Sequence, residues 1–135
     1  MDSIQIKDKQ FTVSIKEQDI QKEVIRVANE INRDLADKNP LFLSVLNEDI
    51  AGRTVVIVED IVDTGLTMQR LLETLGTRNP ESIHIASLLV KPEKLKVDLN
   101  IEYVAMEIPN DFIVGYGLDY DGFGRNYPDI YTVVD

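Results

Sequence analysis

The sequence has 135 residues, of which 44% are hydrophobic and 28% are charged, as expected for one soluble globular domain covering residues 1–135. Its formal net charge of −10 argues against a general nucleic-acid binder, which needs a basic surface. There is no cysteine, no apolar run of membrane-spanning length, and no basic and apolar leader after Met1. We therefore expect a cytoplasmic protein that has no membrane or nucleic-acid partner.

The N-terminal part of the chain predicts a strand followed by an amphipathic helix. Partial alternation over Ile4–Val13 indicates a short strand or an edge segment. Ser14 and Glu17 fit a capping box at the start of the helix. The helix carries an apolar stripe at a spacing of 3.6 residues, at Ile20, Val24, Val27, Ala28, Ile31 and Leu35. Asn39-Pro40 ends this pattern.

Two buried strands are predicted next, and the connector between them is short. Leu41–Leu46 and Thr54–Val58 are apolar runs of the kind found in parallel sheets, and only seven positions separate them. A crossover between neighbouring parallel strands needs about a dozen residues or more. The pattern therefore predicts a hairpin, two strands that are not neighbours, or a segment missing from between them.

An acidic turn, a loop of small residues and a helix follow Thr54–Val58. The acidic residues are Glu59, Asp60 and Asp63, and the loop residues are Thr64, Gly65, Leu66 and Thr67. The helix has apolar residues at Met68, Leu71, Leu72 and Leu75, and Gly76 is its expected stop. Ligands of open α/β sheets sit outside the carboxyl ends of the strands, where a helix N-terminus can hold an anion.

This order of elements indicates a site for a phosphorylated sugar. Backbone N–H groups and the hydroxyls of Thr64 and Thr67 could hold a phosphate. Glu59 and Asp60 could accept hydrogen bonds from ribose hydroxyls or help to hold Mg²⁺. The alternative is purely structural: Glu59 and Asp60 only end a strand, and Asp63 caps the next helix.

The C-terminal half predicts three further strands, at Ser82–Val90, Ile101–Ala105 and Ile130–Val134. His84, the only histidine, falls inside the first of them, and we interpret it as a hydrogen-bonded structural residue. Lys91 follows the same strand and is either an ordinary surface lysine or a hydrogen-bond donor to a ligand.

The span from Ile108 to Arg125 is rich in glycine and aromatic residues. It predicts a shaped binding loop, and core packing with turns is the alternative. We find no internal repeat, low-complexity tract or linker.

The segment Val56-Ile-Val-Glu-Asp-Ile-Val-Asp-Thr-Gly65 resembles the phosphoribosyl-pyrophosphate (PRPP) signature of the type I phosphoribosyltransferases. The form with Glu-Asp followed by Asp-Thr-Gly is most similar to the hypoxanthine-guanine branch of this family. The span from Ile108 to Tyr120 resembles the purine-recognition motif of the same branch. The resemblance implies an α/β fold with a mainly parallel sheet flanked by helices. It also implies an enzyme of purine salvage that uses Mg²⁺ and forms IMP or GMP and pyrophosphate from PRPP and hypoxanthine or guanine. Relatives are commonly homodimers or homotetramers.

The resemblance also implies roles for individual residues. Asp63 would be the catalytic acid or base at the purine. PRPP and phosphate contacts would come from Glu59, Asp60, Thr64, Gly65, Leu66, Thr67 and Arg125. Purine contacts would come from Lys91, Phe112, Ile113 and Asp119. The metal would be held by Glu59, Asp60 and Asp119.

One departure from the family pattern lies between Asn47 and Glu48. Relatives continue there with a glycine, a helix, further strands and a mobile loop bearing Ser-Tyr, whereas here Asn47 is followed directly by Glu48. This break leaves a second hypothesis open, a non-catalytic PRPP- or nucleotide-binding module on the same fold. A structural α/β domain without a ligand is the third.

Overall fold

A computed structural model describes residues 3–43 and 49–134, which group into two compact units. One unit contains residues 24–110, and the other contains residues 3–23 and 111–134. One domain covering residues 1–135 stays a prediction. No helix in the described part of the chain is long and apolar enough to cross a membrane.

The first unit is built on a parallel sheet with the strand order β3-β4-β5-β6. Its strands are β3 (Leu41–Leu43), β4 (Thr54–Val62), β5 (Ser82–Val90) and β6 (Tyr103–Glu107), and its helices are α2 (Leu66–Gly76) and most of α1 (Glu17–Leu35). Short 3-10 turns follow α1 at Ala36–Lys38 and β5 at Pro92–Lys94. The predicted α/β class, with a parallel sheet and helices, is confirmed.

Apolar residues of β4 pack on both faces of this sheet. Val55 and Ile57 belong to a cluster that includes Met68 and Leu75 of α2. Val56 packs on the opposite face in a cluster with α1. Val58 departs from the prediction of a strand buried on both faces, because it is 48% exposed.

The pairing of β3 with β4 decides between the interpretations of the short connector. The two strands are parallel neighbours, with Leu41 opposite Val55 and Leu43 opposite Ile57. The hairpin and the non-neighbouring strands are therefore wrong. The predicted break between Asn47 and Glu48 lies outside the described residues, as does the predicted end of the strand beyond Leu43.

The second unit is an antiparallel sheet with the strand order β1-β2-β8-β7, which the sequence did not predict as a sheet. Its strands are β1 (Ser3–Ile6), β2 (Lys9–Ile15), β7 (Ile113–Val114) and β8 (Ile130–Val134). The single strand predicted over Ile4–Val13 is a hairpin that turns at Lys7, which has φ 53°. Phe11, Val114 and Tyr131 form its buried core with Ile6.

The capping box predicted at the start of α1, with Ser14 as the cap, is wrong. Ser14 lies in β2, and the helix begins at Glu17. The backbone N–H of Glu17 donates to Asp129 Oδ1 at 2.7 Å. A carboxylate distant in sequence thus takes the place of the local Ser14 cap, because the strand pairing of β2 continues as far as Ile15.

Candidate functional site

The carboxyl end of β4 carries the acidic residues. The strand continues to Val62, so Glu59 and Asp60 lie inside it and not in the predicted turn. Because successive side chains of a strand point to opposite faces, Glu59 lines a cavity on the α2 side, whereas Asp60 is exposed outside that lining. The carboxylates that the sequence grouped together therefore lie on different faces of the sheet.

The turn from β4 into α2 forms a loop, residues 63–67, that we call the phosphate loop after the ligand predicted for it from the sequence. Gly65 is the N-cap residue of α2 and has φ 85°, a left-handed conformation that glycine adopts without strain. The backbone N–H of Leu66 lies 3.4 Å from Thr64 Oγ1, its hydrogen-bond acceptor. The alternative in which Asp63 caps the helix is wrong, since the cap position belongs to Gly65.

A cavity of about 260 Å³ brings the predicted residues of this region together. It is lined by Glu59, Ile61, Val62, Asp63, Thr64, Gly65, Thr67, Met68 and Leu71. Leu66 is exposed and outside this lining. The cavity thus combines a helix N-terminus, which attracts anions, with two threonine hydroxyls and two carboxylates, which suits an anionic ligand that also carries hydroxyl groups.

The two carboxylates that line the cavity have different surroundings. Burial, and then the negative charge of Asp60, raise the pKa of Glu59 above its ordinary value. Asp63 Oδ1 is buried and has no hydrogen-bond partner in the described chain, although the side chain as a whole is partly exposed. Across residues 3–43 and 49–134, no group of three or more His, Cys, Asp or Glu side chains could hold a metal ion. A site of two carboxylates completed by substrate oxygens still suits Mg²⁺.

Two lysines follow β5 beside this turn. Lys91 is only 7% exposed, and its backbone N–H donates to the carbonyl of Val62 at 3.2 Å. Its predicted position at a strand end beside the acidic residues is confirmed, and the interpretation as an ordinary surface lysine is wrong. Lys94, which the sequence analysis missed, donates to Asp63 Oδ2 at 3.3 Å. No local pattern distinguishes Lys94 from the other lysines of this polar segment.

The predicted purine residues Phe112 and Ile113 lie in the antiparallel unit. Phe112 is 42% exposed, and its ring centroid is 5.2 Å from that of Tyr120 and 6.0 Å from that of Phe11. Ile113 is buried in β7 and pairs with Thr132. These two T-shaped contacts hold the Phe112 ring in place, and part of its surface stays exposed.

Asp119 and Arg125, which were given separate predicted roles, form an ion pair with each other. Arg125 Nη2 lies 3.2 Å from Asp119 Oδ1, and the backbone N–H of Gly122 donates to Asp119 Oδ2 at 2.7 Å. Both oxygens of Asp119 therefore have partners within its own unit.

His84 is a satisfied structural residue, as predicted. Its Nε2 lies 3.0 Å from Ser82 Oγ, and its Nδ1 lies 2.8 Å from the Glu102 carboxylate. Both ring nitrogens thus have partners within the parallel unit.

Comparison with known proteins extends this picture. Residues 46–121 match the family described as "Phosphoribosyl transferase domain". The chain is 54% identical over 79 residues to the hypoxanthine-guanine phosphoribosyltransferase of Mycobacterium avium, a match that covers 58% of this chain and 39% of that protein. It is 47% identical over 92 residues to the hypoxanthine phosphoribosyltransferase of Salmonella typhimurium, with 68% and 52% covered. The chain thus spans about two-fifths to one half of the length of these curated relatives.

Solved structures show the same similarity. A hypoxanthine-guanine phosphoribosyltransferase from Bacillus anthracis matches with a TM-score of 0.85 and 30% identity, over 91% of this chain and 96% of that one. The hypoxanthine phosphoribosyltransferase of Trypanosoma cruzi matches with a TM-score of 0.83 and 30% identity, over 90% and 95%. The chain belongs to the phosphoribosyl transferase domain family, and its similarity within that family is to the hypoxanthine-guanine enzymes.

Proposed function

We propose that the chain transfers the phosphoribosyl group of PRPP to hypoxanthine or guanine, giving IMP or GMP and pyrophosphate. The observation that carries the proposal is the cavity at the carboxyl end of β4, where the phosphate loop and two carboxylates meet. The names of the similar proteins support the purine substrates.

The phosphate loop is proposed to bind the 5′-phosphate. Thr64, Gly65, Leu66 and Thr67 supply backbone N–H groups and two hydroxyls at the N-terminus of α2. Binding at this remote group holds the reacting carbon in place, so part of the entropic barrier is removed before the bond breaks.

Glu59, which lines the cavity, is proposed to hold a ribose hydroxyl and to be a ligand for Mg²⁺. Asp60 points to the opposite face of the sheet, so its predicted ribose and metal contacts, like the metal contact of Asp119, stay predictions. Burial, and then the negative charge of Asp60, raise the pKa of Glu59, and a bound cation would offset the second of these effects. Bound Mg²⁺ would neutralise part of the pyrophosphate charge.

Asp63 is proposed to exchange a proton with purine N7, as a base in nucleotide synthesis and as an acid in the reverse direction. It lines the cavity, and its buried Oδ1 has no hydrogen-bond partner among the described residues, so a substrate N–H would satisfy it.

The remaining residues are proposed to recognise the base and the leaving group. Lys91 donates a hydrogen bond to purine O6, Phe112 stacks on the ring, and the backbone of Ile113 meets the edge of the base. Asp119 also faces the base. Arg125 stabilises the charge that develops on the departing pyrophosphate.

The setting of the enzyme is part of the same proposal. We expect one domain over residues 1–135, a cytoplasmic location, a place in purine salvage as a source of IMP, and a homodimer or homotetramer. Light scattering of the purified chain checks the last point: a mass equal to that of one chain would contradict it.

A second candidate is a non-catalytic module that binds PRPP or a nucleotide. It is favoured by the direct succession of Asn47 and Glu48, because a chain that has the phosphate loop but not the family's intervening segment could bind without turnover.

Calorimetric titration with PRPP and Mg²⁺, and then with GMP, tests binding at the phosphate loop. We expect the wild-type chain to bind PRPP and Thr67→Val to bind about fivefold more weakly, because one hydroxyl contact is lost. Thr74→Val on the same helix is the matched control, since Thr74 Oγ1 donates to the carbonyl of Arg70 away from the loop. The absence of binding heat with both ligands would contradict the proposal. Binding without turnover of labelled hypoxanthine would favour the second candidate.

A further inference from the structure

A short stretch after β5 contacts two consecutive residues of the phosphate loop. We call residues 94–99 the brace segment. Lys94 Nζ donates to Asp63 Oδ2 at 3.3 Å, and the backbone N–H of Lys96 donates to the carbonyl of Thr64 at 2.8 Å. The two contacts involve alternate residues of the brace segment and the first two residues of the loop, so the segment runs beside the start of the loop.

The brace segment also packs on the next residue, Gly65. A Cβ atom added at Gly65 would meet the side-chain atoms Leu99 Cδ1 at 2.8 Å, Val97 Cγ2 at 2.9 Å and Leu95 Cδ2 at 3.2 Å. Three successive residues at the start of the phosphate loop are therefore each in contact with the brace segment, through a charge pair, a backbone hydrogen bond and apolar packing in turn.

The charge pair fixes which oxygen of Asp63 is free. Oδ2 is held by Lys94, whereas Oδ1 is buried and has no hydrogen-bond partner in the part of the chain that is described. The Lys94 and Asp63 side chains are 39% and 43% exposed, so the pair itself adds little to stability. What the pair provides is orientation of the carboxylate.

We propose that Lys94 is a positioning residue for Asp63: it holds Oδ2 so that Oδ1 is the oxygen offered to the substrate. The inference rests on the proposed function, in which Asp63 exchanges a proton with the purine. A general base acts only when its accepting atom lies within hydrogen-bond reach of the proton, and a displacement of about 1 Å can cost a large part of its effect. Without Lys94, the carboxylate is free to rotate.

The experiment compares three variants in steady-state turnover of hypoxanthine with PRPP. We expect Lys94→Met to lower kcat about tenfold while the KM for PRPP changes less than about twofold, because the base and not the phosphate contact is disturbed. Lys94→Arg should restore most of kcat, since it keeps the cation. Lys96→Met is the matched control, because Lys96 contacts the loop only through its backbone N–H in the contacts described here. An unchanged kcat in Lys94→Met, or a loss that Lys94→Arg does not rescue, would overturn the proposal.

A second measurement does not depend on turnover. In the chain labelled with carbon-13 at aspartate carboxyl groups, we expect Lys94→Met to move the Asp63 signal and Lys94→Arg and Lys96→Met to leave it close to its wild-type position. The Asp63 signal is assigned by its loss in Asp63→Asn. If the wild-type chain neither binds PRPP nor turns over, the proposed function fails, and this signal still decides whether Lys94 holds Asp63. A signal that stays in place in Lys94→Met overturns the inference whatever the activity.

Discussion

Asp63 is the residue on which the proposed chemistry depends most directly. Asp63→Asn keeps the size of the side chain and removes the proton acceptor. We expect turnover to fall about a hundredfold or more while PRPP affinity stays nearly unchanged, because the interaction is made mainly in the transition state. Turnover and calorimetric titration measure the two effects, and Asp37→Asn, in the 3-10 turn after α1, is the control. Turnover of Asp63→Asn at the wild-type rate would show that Asp63 is not the catalytic acid or base.

Lys91 is predicted to select the base. We expect Lys91→Gln to reduce the preference for hypoxanthine over adenine, because an amide can present either a donor or an acceptor to position 6 of the purine. With the lysine in place, the 6-amino group of adenine would face the ammonium group of Lys91. Both groups are donors, so neither finds an acceptor, at a cost of about 1–3 kcal/mol for each unpaired group. Competition between the two bases measures the preference, with Lys22→Gln as the control. The same preference in Lys91→Gln and in the wild type would show that Lys91 does not contact position 6.

The raised pKa of Glu59 leads to a prediction about how the stability of the folded chain changes with pH. Burial and the charge of Asp60 raise its folded-state pKa above 4.5, so the folded chain holds this proton more tightly than the unfolded chain. The resulting stabilisation is fully present below about pH 4.5 and is lost as the pH rises through the raised value. Glu59→Gln should therefore melt at a higher temperature than the wild type at neutral pH, and the difference should shrink towards pH 4.

Thermal melting between pH 4 and pH 7 tests this expectation. The effect should be small, because Glu59 is partly exposed and solvent screens its charge. Glu81→Gln, at an exposed position before β5, is the control. A melting difference for Glu59→Gln that grows as the pH falls would contradict the stated origin of the pKa shift.

At the scale of elements, the phosphate loop and α2 offer a matched pair of glycines. Gly65→Ala places a Cβ 2.8 Å from Leu99 Cδ1 at a residue with φ 85°, so we expect a loss of about 1–3 kcal/mol in the free energy of unfolding. Gly76 is the last helical residue of α2, and an added Cβ there has no neighbour within 4 Å. Gly76→Ala should stabilise the chain by about 0.5–1 kcal/mol.

Denaturant unfolding of the two variants measures this difference. Equal stability of Gly65→Ala and the wild type would mean that the brace segment does not pack on the phosphate loop as the structure describes. Calorimetry with PRPP on Gly65→Ala adds a second comparison, since a displaced loop should also bind phosphate more weakly.

The elements show what periodicity can and cannot predict. The bounds of β5 and β8 follow directly from their β-branched and apolar runs, Ser82–Val90 and Ile130–Val134. Strands with weaker patterns shift, as in β6, which was predicted at Ile101–Ala105 and lies at Tyr103–Glu107. The end of β4 was missed because its pairing with β5 extends strand geometry through Glu59 and Asp60, against their low strand propensity.

The candidate site was predictable where its residues follow one another in sequence. Glu59, Asp63, Thr64, Gly65 and Thr67 reach one cavity because a strand, a turn and a helix place them there. Lys94 was not predictable, since its contact with Asp63 spans 31 residues and depends on how the brace segment folds back. The Asp119–Arg125 pair was missed for a related reason: its geometry comes from the turn around Gly122.

For the whole molecule, the sequence predicts weak binding of the nucleotide's 5′-phosphate and base, and very slow turnover, if the family's segment between Asn47 and Glu48 is absent. A missing mobile Ser-Tyr loop would leave water in the site, and water weakens every charge interaction there. In the described part of the chain, β3 is an edge strand of the parallel sheet, and its Phe42 side chain is 53% exposed. An edge strand with an exposed apolar side chain adds a risk of aggregation. An intact mass that matches 135 residues, together with the full turnover of a complete enzyme, would contradict this expectation.

The central claim is that this chain transfers a phosphoribosyl group, and phosphorus NMR of the reaction mixture tests it most directly. The chain, at an intact mass confirmed beforehand, is incubated with PRPP, Mg²⁺ and hypoxanthine, and the phosphate signals are followed with time. We predict that PRPP decreases while IMP and pyrophosphate appear in equal amounts, at a low rate that Asp63→Asn lowers further. PRPP that persists unchanged, or that disappears without forming IMP, would contradict the claim.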